Sequence, residues 1–137
     1  MTDKIKQVIV ARTDLEVPVG KWAAQAAHAS IGAYVVAPEK HVNAWFKQGF
    51  TKIALGAPDE EALIDVYNIA HKMRLPVFFV NDQGRTCFDN KCTATCVGIG
   101  PAPAKMVDKV TGKLNLFDGY IPETRWERFK VWLKGLF

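Results

Sequence analysis

Cysteine is scarce in this chain, and its spacing does not fit a metal or disulfide site. The sequence holds three cysteines, Cys87, Cys92 and Cys96, and no histidine lies near them. An odd number of cysteines at these intervals fits neither a zinc site nor a disulfide framework. We therefore expect reduced thiols and no bound metal.

Long apolar runs are also missing. No uncharged apolar run approaches the ~18 residues of a membrane-spanning helix, and residues 1–7 contain no apolar core of a signal peptide. We therefore expect a soluble, cytoplasmic protein that has no membrane partner.

A large excess of one charge is absent as well. Lys and Arg number 18 and Asp and Glu number 14, so the net charge is +4 with neutral histidines. This excess is too small for a protein that coats duplex nucleic acid, but it allows an acidic partner or substrate. Neither internal repeats nor low-complexity linkers divide the 137 residues, a length typical of one globular domain.

Short apolar runs alternate with helix-like segments along the chain. The apolar, β-branched runs predict strands at residues 5–11, 51–55, 75–81 and 95–99. Alanine-rich or amphipathic segments predict helices at residues 20–36, 41–47, 59–73 and 103–110. Such alternation is typical of βαβ units, so we predict a three-layer α/β/α sandwich with a mainly parallel sheet.

The start of the long predicted helix concentrates polar side chains on one side. At ~100° per residue, Lys21, Gln25 and His28 fall within about 60° of one another. A lysine in the first turn opposes the helix macrodipole, at a cost of ~0.3–1 kcal/mol, unless an anion or a carboxylate lies there. From this segment alone, a solvated Lys21 and a hydrogen-bonded His28 are the simpler interpretation. The opposite, apolar side is expected to face the core: Ala23, Ala27, Ile31 and Tyr34.

A second polar cluster directly follows the third predicted strand. It contains Asp82, Gly84, Arg85 and Thr86. Ligands of open α/β sheets bind outside the carboxyl ends of the strands, where Asp82 would serve as a general base. In isolation, the simpler interpretation is a glycine turn in which Asp82 caps a backbone amide and Arg85 is solvated.

Several motifs occur in one order along the chain, and their order and spacing together are specific. They are Arg12-Thr13-Asp14-Leu15, Gly20-Lys21 with Ala23-Ala24-Gln25 and His28-Ala29, Ala57-Pro58-Asp59-Glu60-Glu61, Asp82 with Gly84-Arg85-Thr86, Gly98-Ile99-Gly100-Pro101, and Lys109-Val110-Thr111-Gly112-Lys113-Leu114. Together they resemble the type II peptidyl-tRNA hydrolases over residues 5–116. The resemblance implies a four-stranded mixed sheet between helical layers, often in a homodimer. It also implies hydrolysis of the ester that joins a peptide to the 3′ ribose of tRNA, with no cofactor.

The resemblance further implies three catalytic positions, which fall on Lys21, Asp82 and Thr95. Ester hydrolysis needs a water oriented by a base and a donor that faces the developing oxyanion. Asp82 is the candidate for orienting or deprotonating water, Lys21 for stabilising the oxyanion or a phosphate, and Thr95 for positioning water or substrate. Further candidates for substrate contact are Asp14, Trp22, Gln25, His28, Arg85 and Thr86. For Trp22, stacking on the terminal adenine competes with a position at the edge of the core.

Two other functions would keep parts of this pattern. A non-catalytic RNA-binding or protein-interaction module on the same fold would not need both Lys21 and Asp82, so their joint presence favours an enzyme. A hydrolase of another ester or amide would keep both residues and act without the tRNA. Neither the fold nor the net charge separates this hydrolase from one that acts on peptidyl-tRNA.

The last part of the chain, residues 117–137, extends beyond these motifs. Its apolar residues recur at helical spacing: Trp126, Phe129, Leu133, Leu136 and Phe137. An isolated helix of this length is marginal in water. We therefore predict an amphipathic helix that packs on the α/β domain of residues 1–116 or on a partner subunit. A tRNA-binding arm and a membrane-surface helix are the alternatives.

Overall fold

Strands and helices alternate along the chain. A computed structural model of the protein describes residues 3–84 and 91–121. Within these residues the strands are β1 (Ile5–Arg12), β2 (Lys52–Ala57), β3 (Val77–Asp82) and β4 (Thr93–Pro103). The helices there are α1 (Val19–Val35), α2 (Glu39–Lys47), α3 (Glu60–Lys72) and α4 (Ala104–Thr111). The strands and helices predicted in these ranges are confirmed, with ends that differ by at most four residues.

The strands of the described chain form one mixed sheet in the order β2-β1-β4-β3. β1 and β2 are parallel, whereas β4 is antiparallel to both of its neighbours. The mixed sheet is confirmed, but the expectation of mainly parallel pairing is wrong, because only one pair of neighbours in the described sheet is parallel. The reason is the connection between β3 and β4, residues 83–92. It is shorter than the dozen or more residues that a parallel crossover needs.

Helices cover both faces of the sheet. On one face, Val10 of β1 packs in an apolar cluster with side chains of α3 and α4. On the other face, Ile9 of β1 packs in a second cluster with α1. The ring of Tyr34 on α1 contacts Phe46 of α2, so α2 flanks α1 on this side. Successive residues of β1 thus point to opposite helical layers, as strand geometry requires, and the α/β fold is confirmed.

The side of α1 that faces the sheet differs from the expected one. Its buried residues are Trp22, Gln25, Ala29 and Ala33. The side that the sequence predicts to face the core is exposed instead: Ala23, Ala27, Ile31 and Tyr34. Both sets have helical spacing, so the periodicity is right and the predicted rotation of the helix about its axis is wrong.

The reason for this rotation is a close approach between α1 and β4. A Cβ atom at Gly98 of β4 would collide with the backbone carbonyl of Ala29. Ala29 and Ala33 are fully buried at this contact, where their small side chains let the two backbones approach. Ile31 and Tyr34 are too large for such a gap and lie on the outside.

Residues 117–121 lie against the domain at the carboxyl ends of β1 and β2. The backbone N–H of Phe117 donates to the carbonyl of Ala54 over 2.9 Å, and that of Ile121 donates to the carbonyl of Thr13 over 2.8 Å. The ring of Phe117 packs edge-on against Trp22, with centroids 5.2 Å apart. The predicted C-terminal helix lies outside the described residues, so the division at residue 116 and the packing of that helix stay predictions. Across residues 3–84 and 91–121, no helix is long and apolar enough to cross a membrane.

Replacing Gly98 with alanine should destabilise the fold. The added methyl group would meet the backbone of α1, which cannot move aside as a flexible side chain can. We expect a loss of about 1–3 kcal/mol in the free energy of unfolding, measured by chemical denaturation.

Gly20→Ala is the matched control for this prediction. Apart from its chain neighbours and the backbone of its own helix, no atom lies within 4 Å of the place that its methyl group would occupy. We expect stability there to be unchanged or higher by up to about 1 kcal/mol. Equal stability of Gly98→Ala and the unmodified protein would contradict the close contact.

Candidate active site

The candidate site lies at the edge of the sheet where β1, β2 and β3 end. These strands run in one direction, because β4 is antiparallel to β1 and β3 and β2 is parallel to β1. Asp82, the last residue of β3, therefore lies where β4 begins. This edge is the side of an α/β sheet where ligands bind.

An ion pair between Lys21 and Asp82 joins α1 to β3. Lys21 Nζ lies 2.5 Å from Asp82 Oδ2, and the two side chains are 20% and 9% exposed. The hydrogen bond from Lys21 holds the pKa of Asp82 below its ordinary value of 3.8, against the opposing effect of burial. Asp82 is therefore a carboxylate at neutral pH, in contact with an ammonium group.

Asp82 also accepts a hydrogen bond from Gln25, which links it to Thr95. Gln25 Nε2 donates to Asp82 Oδ2 over 3.3 Å, and Thr95 Oγ1 donates to Gln25 Oε1 over 2.6 Å. Gln25 is 4% exposed and Thr95 is fully buried. The amide of Gln25 is thus fixed in one orientation, since its oxygen accepts from Thr95 and its nitrogen donates to Asp82. The structure brings together the three residues that the resemblance implies as catalytic, with Gln25 between two of them.

A β-bulge in β4 turns Thr95 toward this site. Val80 of β3 pairs with Cys96, whereas the next residue, Asn81, pairs with Ala94, so Thr95 is the extra residue. Cys96 lies in the apolar cluster beside α1, and regular alternation would put Thr95 on the opposite face. The extra residue places both side chains toward α1, since bulges re-aim side chains in this way.

The simpler interpretation of Lys21 as a solvated side chain is wrong, because Asp82 pairs with it. The first turn of α1 contains no acidic residue, so the carboxylate that offsets the unfavourable position of Lys21 comes from β3. The turn interpretation of Asp82 does hold, because the N–H of Gly84 donates to Oδ1 over 2.7 Å. The two oxygens of Asp82 thus have different partners: Oδ1 caps the turn and Oδ2 contacts Lys21.

The other predicted contact residues have varied surroundings. His28 is exposed on α1, and its charge is among the lesser influences that lower the pKa of Asp82, after Lys21. Trp22 is 8% exposed and packs against Phe117 at the edge of the core, so adenine stacking stays a prediction. Two further candidates, Arg85 and Thr86, lie outside the described residues. Within the described parts of the chain, no group of three or more His, Cys, Asp or Glu residues could hold a metal ion.

Sequence reasoning missed Arg12 as a residue of this edge. Arg12 pairs with Asp14 through two hydrogen bonds of 2.9 and 2.7 Å, which raise its pKa, and it is 8% exposed. Its Nη1 also donates to the carbonyl of Ala94 over 3.0 Å, directly before Thr95. The predicted contact residue Asp14 thus holds Arg12, and Arg12 holds the start of β4. The sequence feature that could have indicated Arg12 is the Arg-x-Asp spacing at the end of a predicted strand.

Replacing Lys21 with methionine should raise the pKa of Asp82. The variant removes the hydrogen bond that lowers this pKa and leaves the burial that raises it. Ionised Asp82 stabilises the native protein above the ordinary carboxyl pKa, and this stabilisation is lost as pH falls through the lowered native pKa. In the variant this pH-dependent stabilisation should be smaller, because the hydrogen bond from Lys21 no longer lowers the native pKa of Asp82. NMR titration of the Asp82 carboxyl carbon measures the shift.

Lys6→Met is the control for that titration. Lys6 pairs with Asp108 elsewhere in the domain, so the same substitution removes a different ion pair. It should leave the titration of Asp82 unchanged. An unchanged pKa of Asp82 in the Lys21 variant would show that the ion pair does not stabilise the carboxylate.

Comparison with known proteins gives one consistent family. The family model of peptidyl-tRNA hydrolase PTH2 matches residues 5–117. The chain is 44% identical over 113 residues to the peptidyl-tRNA hydrolase of Methanopyrus kandleri, covering 81% of this chain and 97% of that relative. It is 42% identical over 113 residues to that of Halobacterium salinarum, covering 82% of this chain and 100% of the relative. It is 38% identical over 115 residues to the mitochondrial peptidyl-tRNA hydrolase 2 of Bos taurus, covering 82% of this chain and 64% of that protein.

A solved structure supports the fold alone. A protein of unknown function from Agrobacterium tumefaciens strain C58 superposes with a TM-score of 0.56 at 14% identity, covering 85% of this chain and 99% of that one. The family match extends over nearly all the described residues and agrees with the resemblance seen in the motifs. This chain therefore belongs to the peptidyl-tRNA hydrolase PTH2 family.

Proposed function

We propose that this protein hydrolyses the ester between peptide and tRNA in peptidyl-tRNA, and that Lys21 and Asp82 carry the reaction. The supporting observation is the contact of 2.5 Å between Lys21 Nζ and Asp82 Oδ2 at the carboxyl edge of the sheet. The relatives from Methanopyrus kandleri and Halobacterium salinarum bear the name of this activity. The products are free tRNA and a peptide with a free carboxyl group.

Asp82 orients the attacking water in this proposal. A general base works best when its pKa lies near the working pH, and the pKa of Asp82 is lowered, chiefly by the hydrogen bond from Lys21. A carboxylate that resists protonation is a poor proton acceptor but a constant hydrogen-bond acceptor. Of the two roles that the sequence leaves open for Asp82, orientation of water is therefore favoured over deprotonation.

Lys21 stabilises the oxyanion of the tetrahedral intermediate. Its ammonium group is positioned by Asp82 before substrate arrives, so little reorganisation is needed when negative charge develops. One such donor contributes about 3–4 kcal/mol in the transition state. The partial burial of the pair strengthens the effect, because charges interact more strongly away from bulk water.

Thr95 is a positioning residue in this proposal, because its hydroxyl is fully buried and bonds to Gln25. It acts on Asp82 through the Gln25 amide. Arg12 supports it from the other side by holding the carbonyl of Ala94.

The tRNA partner follows from the proposed reaction. Contacts of Asp14, His28, Arg85 and Thr86 with the tRNA terminus stay predictions, as do the homodimer and the cytoplasmic location. A non-catalytic RNA-binding or protein-interaction module is the alternative. It does not require the ion pair of Lys21 and Asp82 at this edge, whose desolvation offsets much of the attraction between the two charges.

The deciding experiment compares deacylation of an N-acetyl-aminoacyl-tRNA with that of the free aminoacyl-tRNA. The unmodified protein should hydrolyse the N-acetylated substrate. Asp82→Asn should lower kcat by about 10²-fold, because the attacking water and Lys21 lose the carboxylate that positions them, and Lys21→Met should lower it by about 10²- to 10³-fold. Lys6→Met is the control, because it removes an ion pair with Asp108 at a distance from the site and should leave kcat unchanged.

The same assay separates the alternatives. Binding of tRNA without turnover of either substrate would support the non-catalytic module and overturn the hydrolase. Equal hydrolysis of an N-acetyl-amino-acid ester that lacks tRNA would indicate a hydrolase of simpler esters. Full activity of Asp82→Asn would show that Asp82 serves only to cap the turn and takes no part in catalysis.

A further inference from the structure

A groove runs between α1 and the outer edge of β3. Its volume is about 430 Å³, and its walls are His28, Ile31 and Gly32 of α1 and residues 78–81 of β3. β3 is the last strand of the described sheet, so β4 pairs with one side of it and no described strand pairs with the other. The groove therefore lies beside a strand whose outer backbone groups lack a partner strand within the described chain.

The lining of the groove places it over the backbone edge rather than over one face of the sheet. Val80 belongs to the apolar cluster beside α1, whereas Phe79 contacts Tyr67 of α3 on the opposite face. Both residues border the groove. Phe79 and Val80 are consecutive, and their side chains lie on opposite faces of the sheet. Both can border one groove only where the backbone that joins them forms its wall.

Within the described residues, positions 77–81 of this edge lack the side chains that usually protect an edge strand from pairing. Residues 77–81 read Val-Phe-Phe-Val-Asn, with no charge and no proline. Exposed edge strands in natural proteins are usually blunted by lysine, proline or a covering element, because their free N–H and C=O groups pair with other chains. An uncharged, aromatic edge on which no described strand lies is suited to receive an extended peptide.

The open edge leads directly to the candidate catalytic carboxylate. Asp82 is the residue at the carboxyl end of β3, next to the groove residue Asn81. At ~3.3 Å per residue, a peptide laid along residues 77–81 ends within reach of Asp82. The ester bond lies at the carboxyl end of the peptide. Because the proposed cleavage takes place at Asp82, the carboxyl end of the bound peptide must lie there. The peptide would then run parallel to β3.

We propose that this groove binds the peptide part of peptidyl-tRNA as an added strand beside β3. The inference rests on the proposed function and names the subsite that holds the peptide. No lysine or arginine lines the groove, so it does not suit the phosphates of tRNA. Backbone hydrogen bonds hold any sequence, which fits a substrate whose peptide varies.

Phe78 and Gly32 shape the apolar wall of the groove. The ring of Phe78 packs on Gly32, where any Cβ atom would collide with it. Phe78 is nevertheless 41% exposed, so its ring is available to contact the side chains of a bound peptide. Ile31, at 62% exposure, offers a second apolar surface from α1.

The experiment measures kcat/KM of the full-length protein for a series of substrates. N-acetyl-alanyl-tRNA is compared with N-acetyl-tetra-alanyl-tRNA, and then with tetrapeptidyl substrates that are N-methylated at one position each. The tetrapeptide should be preferred over the single residue. N-methylation should lower kcat/KM by about 2- to 10-fold at alternate positions, because alternate N–H groups of an added strand face its partner.

Variants test the groove wall separately. Phe78→Ala should reduce the ratio of kcat/KM between the long and the short substrate. Ile69→Ala is the matched control, because Ile69 is 45% exposed on α3, on the opposite side of the sheet, and should keep the ratio.

Three results would overturn the inference, and those that spare the proposed function are distinguishable from the one that does not. If every substrate is hydrolysed with equal kcat/KM, the peptide does not bind along β3, while the proposed hydrolase function stands. The same holds if peptide length matters but methylation at every position has the same effect. If no substrate is hydrolysed, the proposed function fails and this inference fails with it.

Discussion

The close approach of α1 to β4 determines where the polar groups of the candidate site can lie. Gly98 has no side chain, so the backbone of α1 at Ala29 rests directly on β4. Positions four residues apart share one side of a helix, and Gln25 and Lys21 precede Ala29 at this spacing. The face that packs on β4 at Ala29 therefore presents Gln25 and then Lys21 toward the end of β3. A different rotation of α1 would remove both partners from Asp82.

Burial makes this polar cluster depend on all of its members. A buried carboxylate is costly unless it is paired and hydrogen-bonded, and Asp82 accepts from Lys21, Gln25 and the backbone of Gly84. Gln25 in turn has both ends of its amide engaged, because Thr95 donates to its oxygen. The bulge that turns Thr95 toward α1 is thus part of the same arrangement. Loss of one member would leave another buried polar group without its partner.

The strands and the candidate residues of the site could be predicted from the sequence, but the geometry of the site could not. The resemblance implies Lys21, Asp82 and Thr95 as site residues, which stays a prediction, and the apolar runs locate the strands that carry two of them. Periodicity alone cannot tell which side of an alanine-rich helix faces the sheet, since both sides of α1 have small or apolar residues at helical spacing. The bulge at Thr95 has no marker in the chain, because it depends on pairing with a strand far away in sequence. The role of Arg12 was hidden for the same reason, since its acceptor is the carbonyl of Ala94.

In the proposed function the two sides of β3 have separate tasks, which would explain a catalytic carboxylate on an edge strand. Pairing with β4 through Asp82 itself fixes the backbone of this residue, so its position does not depend on the substrate. A central strand would provide that rigidity too, but its neighbours would occupy both sides. On an edge strand no described strand occupies the outer side, so the proposed peptide would lie along it with its carboxyl end at Asp82. Rigidity from one side and access from the other are available together only at the edge of a sheet.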